Sequence, residues 1–214
     1  MLPLIVVGGG GHGRVVLEAL RSAGREVRGV VDRDPTVATL LPKGVPWLGD
    51  DAALAGFPPA QYALVNGLGG IGDGKRRALF EKLRDQGYVF APIHHESAVI
   101  SHGVELGEGA QVMAGAVLQP GVRLGVNAVV NTRAAIDHDC HIGDHCHVAP
   151  GAVLCGDVIV GEDTHIGAGA VVIQGVRIGS GSIIGAGAII RRDVGDNLVV
   201  YTGGERRERP LTTR

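Results

Sequence analysis

The stretch Val122-Arg-Leu-Gly-Val-Asn-Ala-Val-Val-Asn-Thr-Arg-Ala-Ala-Ile-Asp-His-Asp-Cys-His-Ile-Gly143 carries the pattern that decides the fold. Leu124, Val130, Ile136 and Ile142 recur every six residues. Followed both ways, the same step runs from Ile100 to Ile190 and meets sixteen positions, each Ile, Leu or Val. Two residues before each lies a small side chain, among them Ala128, Ala134, Cys140, Cys146, Ala152 and Thr164. Strand side chains alternate with period two, so both series face one side. The aliphatic series fills an interior, and the small series lets the chain close around it. Cys140 and Cys146 fall in the small series and are expected to be core fillers.

A longer period overlies the hexads. Gly107, Gly125, Gly143, Gly161 and Gly179 are 18 residues apart, each directly after an aliphatic residue. Three hexads therefore make one coil of three short strands and three turns. Coils stacked at the parallel-strand spacing give about five turns and a prism roughly 25 Å tall. Residues that directly precede an inward position, such as Val117, Val129, Val153, Val171, Ile183 and Ile189, are expected to point outward, as are His141, His147 and His165. So much outward aliphatic surface predicts a homo-oligomer.

The composition agrees. Aromatic residues are 3% and glycines number 36, so the core is built from branched aliphatic residues and alanine. A net charge of −2 argues against a nucleic-acid binder or a polybasic membrane anchor. Leu2–Val7 lacks the basic flank and cleavage site of a secretion signal. No run reaches the roughly 18 apolar residues of a spanning helix. Three cysteines without CxxC spacing fit reduced thiols. A cytoplasmic location without membrane insertion is expected.

Residues 1–92 read differently. Leu2–Val7 predicts a buried parallel strand, 14–23 a helix and Val27–Val31 a second strand. Strands over 61–66 and 88–91 flank a helix over 73–86. Residues 33–60 show no clear period. Strands alternating with helices imply a small parallel sheet, a Rossmann-like α/β half domain. Gly8, Gly10 and Gly13 formally satisfy GxGxxG, and Asp32 follows at the spacing of a ribose-binding carboxylate. A dehydrogenase reading fails on size: about 92 residues make one mononucleotide half, and the repeat leaves no room for a second catalytic domain. What remains is a set of glycine amides and a helix N-terminus facing an anion such as a nucleotide diphosphate.

The hexad repeat resembles the hexapeptide acyltransferases, which implies a left-handed parallel β-helix and active sites between the subunits of a trimer. General chain chirality favours right-handed crossovers, so the hand rests on the resemblance alone. The segment Gly8-Gly-Gly-Gly-His12-Gly13-Arg-Val-Val16 before a β-helix resembles the NeuD-type acyltransferases, which include N-acetyltransferases of UDP- or GDP-linked 4-amino sugars. That likeness implies a nucleotide-sugar domain over 1–92 and an acyltransferase domain over 93–214. It assigns Gly10, Gly11, His12, Gly13, Asp32 and Asn131 to the nucleotide sugar. Asn131-Thr-Arg-Ala-Ala-Ile-Asp-His138-Asp139-Cys-His-Ile-Gly143 matches the block whose histidine is the catalytic base. His138 takes that role and Asp139 stands beside it. His147, Gly156 and Gly167 are carried over as acetyl-CoA contacts.

The chemistry is coherent. A sugar ammonium ion must lose a proton before it attacks, and a histidine titrating near neutrality suits that. A backbone N–H can hold the oxyanion of the thioester. Contact between His138 and Asp139 requires the bend of a corner, since neighbouring strand residues point oppositely. Two alternatives stand beside this one: O-acetylation of a sialic-acid-like sugar, and a zinc lyase resembling the γ-type carbonic anhydrases. The second needs a His-x4-His pair, and the residue five after His138 is Gly143, so no metal is expected. A non-catalytic nucleotide-sugar scaffold is a third. The family's closing segment near CoA is replaced by Tyr201–Pro210, where Arg206, Arg207 and Arg209 are candidates for a CoA phosphate.

Overall fold

A computed structural model describes residues 2–70, 74–203 and 205–210, with side chains described as far as Tyr201. The chain divides into two compact units, Met1–Glu96 and Ser97–Arg214.

The first unit is built on a four-stranded parallel sheet in the order β3-β2-β1-β4. Strand β1 (Leu4–Val7) is buried throughout, as a central parallel strand must be. Helix α1 (Gly11–Ser22) lays Val16, Leu17, Ala19 and Leu20 against it. Strand β2 (Val27–Val31) pairs with β1, and β3 (Trp47–Gly49) lies outside β2. The chain then returns to the other side of β1 as β4 (Ala63–Asn66), followed by α2 (Lys75–Asp85). The order reverses between β1 and β4, and the ends of these strands open a crevice where ligands of open α/β sheets bind. The expected strand over 88–91 is reduced to a single bridge between Phe90 and Leu64. Phe90 is buried against Phe80, at a ring separation of 4.3 Å, so the segment is held by packing more than by pairing. The illegible region holds two short 3-10 helices (Pro35–Leu40 and Asp51–Gly56) around β3. Short strand β5 (Ile93–His94) ends the unit.

The second unit is a left-handed triangular β-helix. Its two-residue strands follow the hexads from β6 (Val99–Ile100) to β21 (Ile189–Ile190), each eighteen residues from its parallel neighbours. Three sheets result. The first carries β12 (Ala135–Ile136) and β15 (Val153–Leu154), the second β13 (His141–Ile142), and the third β11 (Val129–Val130), β14 (His147–Val148) and β17 (His165–Ile166). From Val112 to Ile190 the inward aliphatic series is almost wholly buried, and Cys140 and Cys146 are fully buried within it. Burial pushes their thiols up to about 11 and about 12, as expected for core fillers.

The eighteen-residue glycines answer to coil spacing. A Cβ added at Gly125 would lie 2.6 Å from the Gly143 backbone, and one at Gly143 would lie 2.7 Å from the Glu162 nitrogen. Corners have a different requirement. The third residue after each inward aliphatic is often left-handed, at Arg133, Asp139, His145, Gly151, Asp157 and Asp163. Asn, Asp and Gly tolerate that region best.

Two outward expectations are corrected. Val129 is 1% exposed and His165 is 7% exposed, although each precedes an inward residue. Both stand on the third sheet, where Gln111 of the same ladder is also buried. Both are nonetheless shielded from solvent, while His147 and Ile183 of the same ladder are half-buried. By contrast the first sheet shows Val99, Val153 and Ile189 to solvent.

Candidate active site

At the head of α1, Gly8 (φ +105°) turns the chain out of β1, and its carbonyl lies where a Cβ at Gly13 or at Gly67 would clash. Helix and strand therefore meet closely only with glycine at both positions. Gly10 and Gly11 are exposed, with open space around each. Gly10 caps α1 without a side-chain bond, and no acidic residue occupies the first turn. That leaves a helix N-terminus suited to an anion. His12 is half-buried on this turn, with its Cβ 3.1 Å from where a Cβ at Gly69 would lie.

Asp32 has a role the spacing did not reveal. Its Oδ2 accepts the Gly9 N–H at 2.6 Å, and its Oδ1 accepts the Asp34 N–H at 2.9 Å. The carboxylate pins the glycine loop to the end of β2. Beside it opens a cavity of about 370 Å³ lined by Gly8, Asp32, Arg33, Leu68, Lys75 and Lys82 among others. The Arg33–Asp51 ion pair at 2.6 Å closes one side. Nothing in the sequence motif pointed to Arg33, Lys75 or Lys82.

On the β-helix, His138 occupies the corner between β12 and β13. Its Nδ1 lies 2.9 Å from Asp139 Oδ2, the contact for which a bend was required. The bend is the left-handed Asp139 (φ 60°). An ionised carboxylate can only accept, so Nδ1 carries the proton and Nε2 is the free base. The Asp139 hydrogen bond, with the fields of Asp137, Asp139 and Asp157, holds the His138 pKa above its ordinary value. Asp137 Oδ1 fixes the corner by accepting the His138 N–H at 2.8 Å.

Directly over the His138 ring, one coil on, is Gly156. A Cβ there would stand 2.5 Å from His138 Nε2 and 2.5 Å from Cε1. At the comparable corner positions 132 and 138 the N–H is taken by the preceding Asn131 or Asp137 side chain. Before Gly156 stands Cys155, and among the described residues the Gly156 N–H has no partner. A base nitrogen and an unspent amide donor thus sit together.

The remaining residues form a second cluster. Asn131 Nδ2 lies 3.1 Å from His147 Nε2, while Asn131 Oδ1 accepts the Thr132 N–H at 2.7 Å. The His147 and His165 rings meet edge to face at 5.1 Å. The Gly167 N–H is spent on Ile184 O, and a Cβ there would lie 2.6 Å from Ala186 N, so that glycine serves coil stacking and offers no donor. In one chain this cluster and His138 are separated by strand β12, and the structure does not bring them together. Among the described residues no three His, Cys, Asp or Glu side chains converge as metal ligands. The backbone of Glu205–Pro210 pairs antiparallel with Leu198–Gly203, but the side chains of Arg206, Arg207 and Arg209 lie outside the described residues.

Comparison with known proteins agrees with both halves. The PglD N-terminal domain family matches residues 3–83. The bacterial transferase hexapeptide (six repeats) matches 157–192, and the hexapeptide repeat of succinyl-transferase matches 96–120. A histidine-to-asparagine variant of perosamine N-acetyltransferase from Caulobacter crescentus, solved with CoA and GDP-perosamine, is 41% identical, with 97% of this chain and 96% of that chain covered and a TM-score of 0.87. The chain belongs to the NeuD/PglD-type sugar acetyltransferases. The acetyltransferase domain of PglB from Neisseria gonorrhoeae FA1090, solved with acetyl coenzyme A, is 34% identical over 98% of each chain, with a TM-score of 0.85. WeeI from Acinetobacter baumannii AYE shares the fold at 24% identity and a TM-score of 0.83. A comparison with curated protein sequences finds no match. Membership in this family fixes the reaction class as acyl transfer to a nucleotide-linked sugar.

Proposed function

We propose that the chain transfers acetyl from acetyl-CoA directly to the amino group of a UDP- or GDP-linked 4-amino sugar, with His138 as general base. The observation that carries this reading is His138 itself: Nδ1 held by Asp139, Nε2 over Gly156. Neutral His138 takes a proton from the sugar ammonium ion. The freed amine attacks the thioester carbon, and the Gly156 N–H receives the oxyanion. The attacking nitrogen, which gains a formal positive charge on addition, releases its extra proton to solvent. Collapse breaks the C–S bond, and the departing thiolate takes the proton from the imidazolium. No acyl-enzyme is needed, and buried Cys140 and Cys146 are unsuited to one. His147 contacts the acetyl end of acetyl-CoA. The uncapped turn at Gly10, Gly11, His12 and Gly13 takes the diphosphate. Asp32 acts there by holding the loop, with lone pairs left for a ribose hydroxyl.

A relative solved with CoA and GDP-perosamine supports the amino-sugar assignment over O-acetylation of a sialic-acid-like sugar. The working form is a homotrimer. The Asn131–His147 cluster and His138 stand at different corners of one prism, so a single catalytic site drawing on both needs a second copy. The test is a screen of UDP- and GDP-linked amino sugars with acetyl-CoA, following thiol release and product mass. One 4-amino sugar giving stoichiometric N-acetyl product supports the reading. Thiol release with hydroxylated sugars alone transfers it to O-acetylation.

A further inference from the structure

His165 is a buried titratable group that the mechanism above leaves unused. It is 7% exposed, its Nδ1 is sealed from solvent, and among the described residues that nitrogen meets no hydrogen-bond partner. Unsatisfied buried polar atoms are uncommon and call for a reason. A packed leucine or phenylalanine at this outward position would avoid the cost. Burial also pushes the His165 pKa down to about 4, so the ring is neutral across the physiological range.

A neutral imidazole has one N–H. An orphaned buried N–H is rarer, and costlier, than an orphaned acceptor. The sealed Nδ1 is therefore the bare nitrogen, and the proton lies on Nε2, which is not among the sealed atoms. The neighbouring ring is constrained in the opposite sense. Thr132 N–H donates to Asn131 Oδ1, which fixes the amide so that Nδ2 faces His147 Nε2. His147 Nε2 accepts, and its proton lies on Nδ1. Two uncharged imidazoles thus stand edge to face at 5.1 Å with opposite tautomers.

Resting on the reading of His147 as the acyl-CoA contact, we infer that His165 is a second, uncharged N–H donor beside it, presented to a carbonyl oxygen of the acyl-pantetheine arm. An uncharged pair suits a neutral thioester or amide. Charged donors would instead favour an anion and hold it after reaction.

The experiment uses intact protein with three variants, His165→Phe, His165→Gln and His147→Ala. KM for acetyl-CoA, KM for the nucleotide sugar, CoA binding by calorimetry and Tm are measured for each. His165→Phe keeps a packed ring and removes the donor, so Tm holds or rises while KM for acetyl-CoA rises about tenfold, the effect of one lost neutral hydrogen bond. KM for the nucleotide sugar is unchanged. His165→Gln restores a donor and recovers most of the loss. Nitrogen-15 histidine spectra should show opposite neutral tautomers for His147 and His165. Wild-type acetyl-CoA binding in His165→Phe, with binding lost in His147→Ala, overturns this inference and leaves the His147 reading intact. If His147→Ala also binds CoA normally, the reading beneath it fails as well.

Discussion

At the residue scale, Asp139 and Gly156 together hold His138. Asp139 raises the His138 pKa by accepting its Nδ1–H, and the proposed base would work only when neutral. Activity is therefore expected to be lost as pH falls through that raised pKa. In Asp139→Asn the carboxylate charge is gone, the pKa falls, and the acidic limb of the kcat/KM profile moves to lower pH. A limb that stays in place or moves upward shows that Asp139 does not set this titration. Gly156→Ala tests the other contact. Its methyl would fall 2.5 Å from Nε2, so the exposed ring swings away while the fold survives. We expect kcat to drop by about 10² or more, in line with loss of a positioned base, with Tm changed little. These residues were only partly legible in the sequence. The block around His138 singled out the residue proposed as base, but the Asp139 contact depended on a left-handed corner, and the pinning of Gly9 by Asp32 depended on a three-dimensional loop.

At the element scale, the hexad is legible because its core is one side chain wide. Each hexad contributes one aliphatic and one small residue, so period alone assigns the interior. What lies outside a strand does not follow from its own period. Val129 and His165 read as exposed, yet both are buried. Residues 33–60 were illegible for the opposite reason: two 3-10 helices and a three-residue strand have too few residues to show any period. Strand β17 yields a stability prediction. Neutral in the fold to about pH 4, His165 protonates near 6.5 in the unfolded chain. The unfolded state binds more protons between those values, so stability is full above pH 6.5 and falls toward pH 4, by up to about 3 kcal/mol. Denaturant melts of His165→Phe should lose that part of the pH dependence, and an unchanged slope contradicts it. Coil stacking gives a second. Gly143→Ala places a methyl 2.7 Å from the Glu162 nitrogen, an overpacking expected to cost about 1–3 kcal/mol. Chemical melts showing no loss would mean the coils yield at that corner.

At the scale of the whole molecule, the sheet carrying Val99, Val117, Ala135, Val153, Val171 and Ile189 presents an aliphatic ladder. Val99 is 59% exposed and Ile189 47%, more apolar surface along one face than an isolated prism accounts for. With His138 at one end of this face and Asn131 at the other, joining copies along it both hides the ladder and assembles a site. Sedimentation should give about three times the 22.0 kDa chain mass. A stable monomer at micromolar concentration would sink the trimer. Val153→Asp should dissociate the assembly and abolish transfer together, while a monomer with full turnover would break the link between assembly and site.

The central claim is that His138 is the base. It is tested most directly by steady-state kinetics of His138→Ala, with His145→Ala as the control, on the nucleotide amino sugar that the wild type acetylates. His145 is a nearby corner histidine, bonded to Asn127 at 3.0 Å and with no assigned role. The account predicts a fall in kcat of about 10² to 10⁴ for His138→Ala, nucleotide-sugar binding little changed, and near-normal turnover in His145→Ala. Near-normal turnover in His138→Ala would contradict it, and loss of activity in His145→Ala alongside would show that the base had been assigned to the wrong residue.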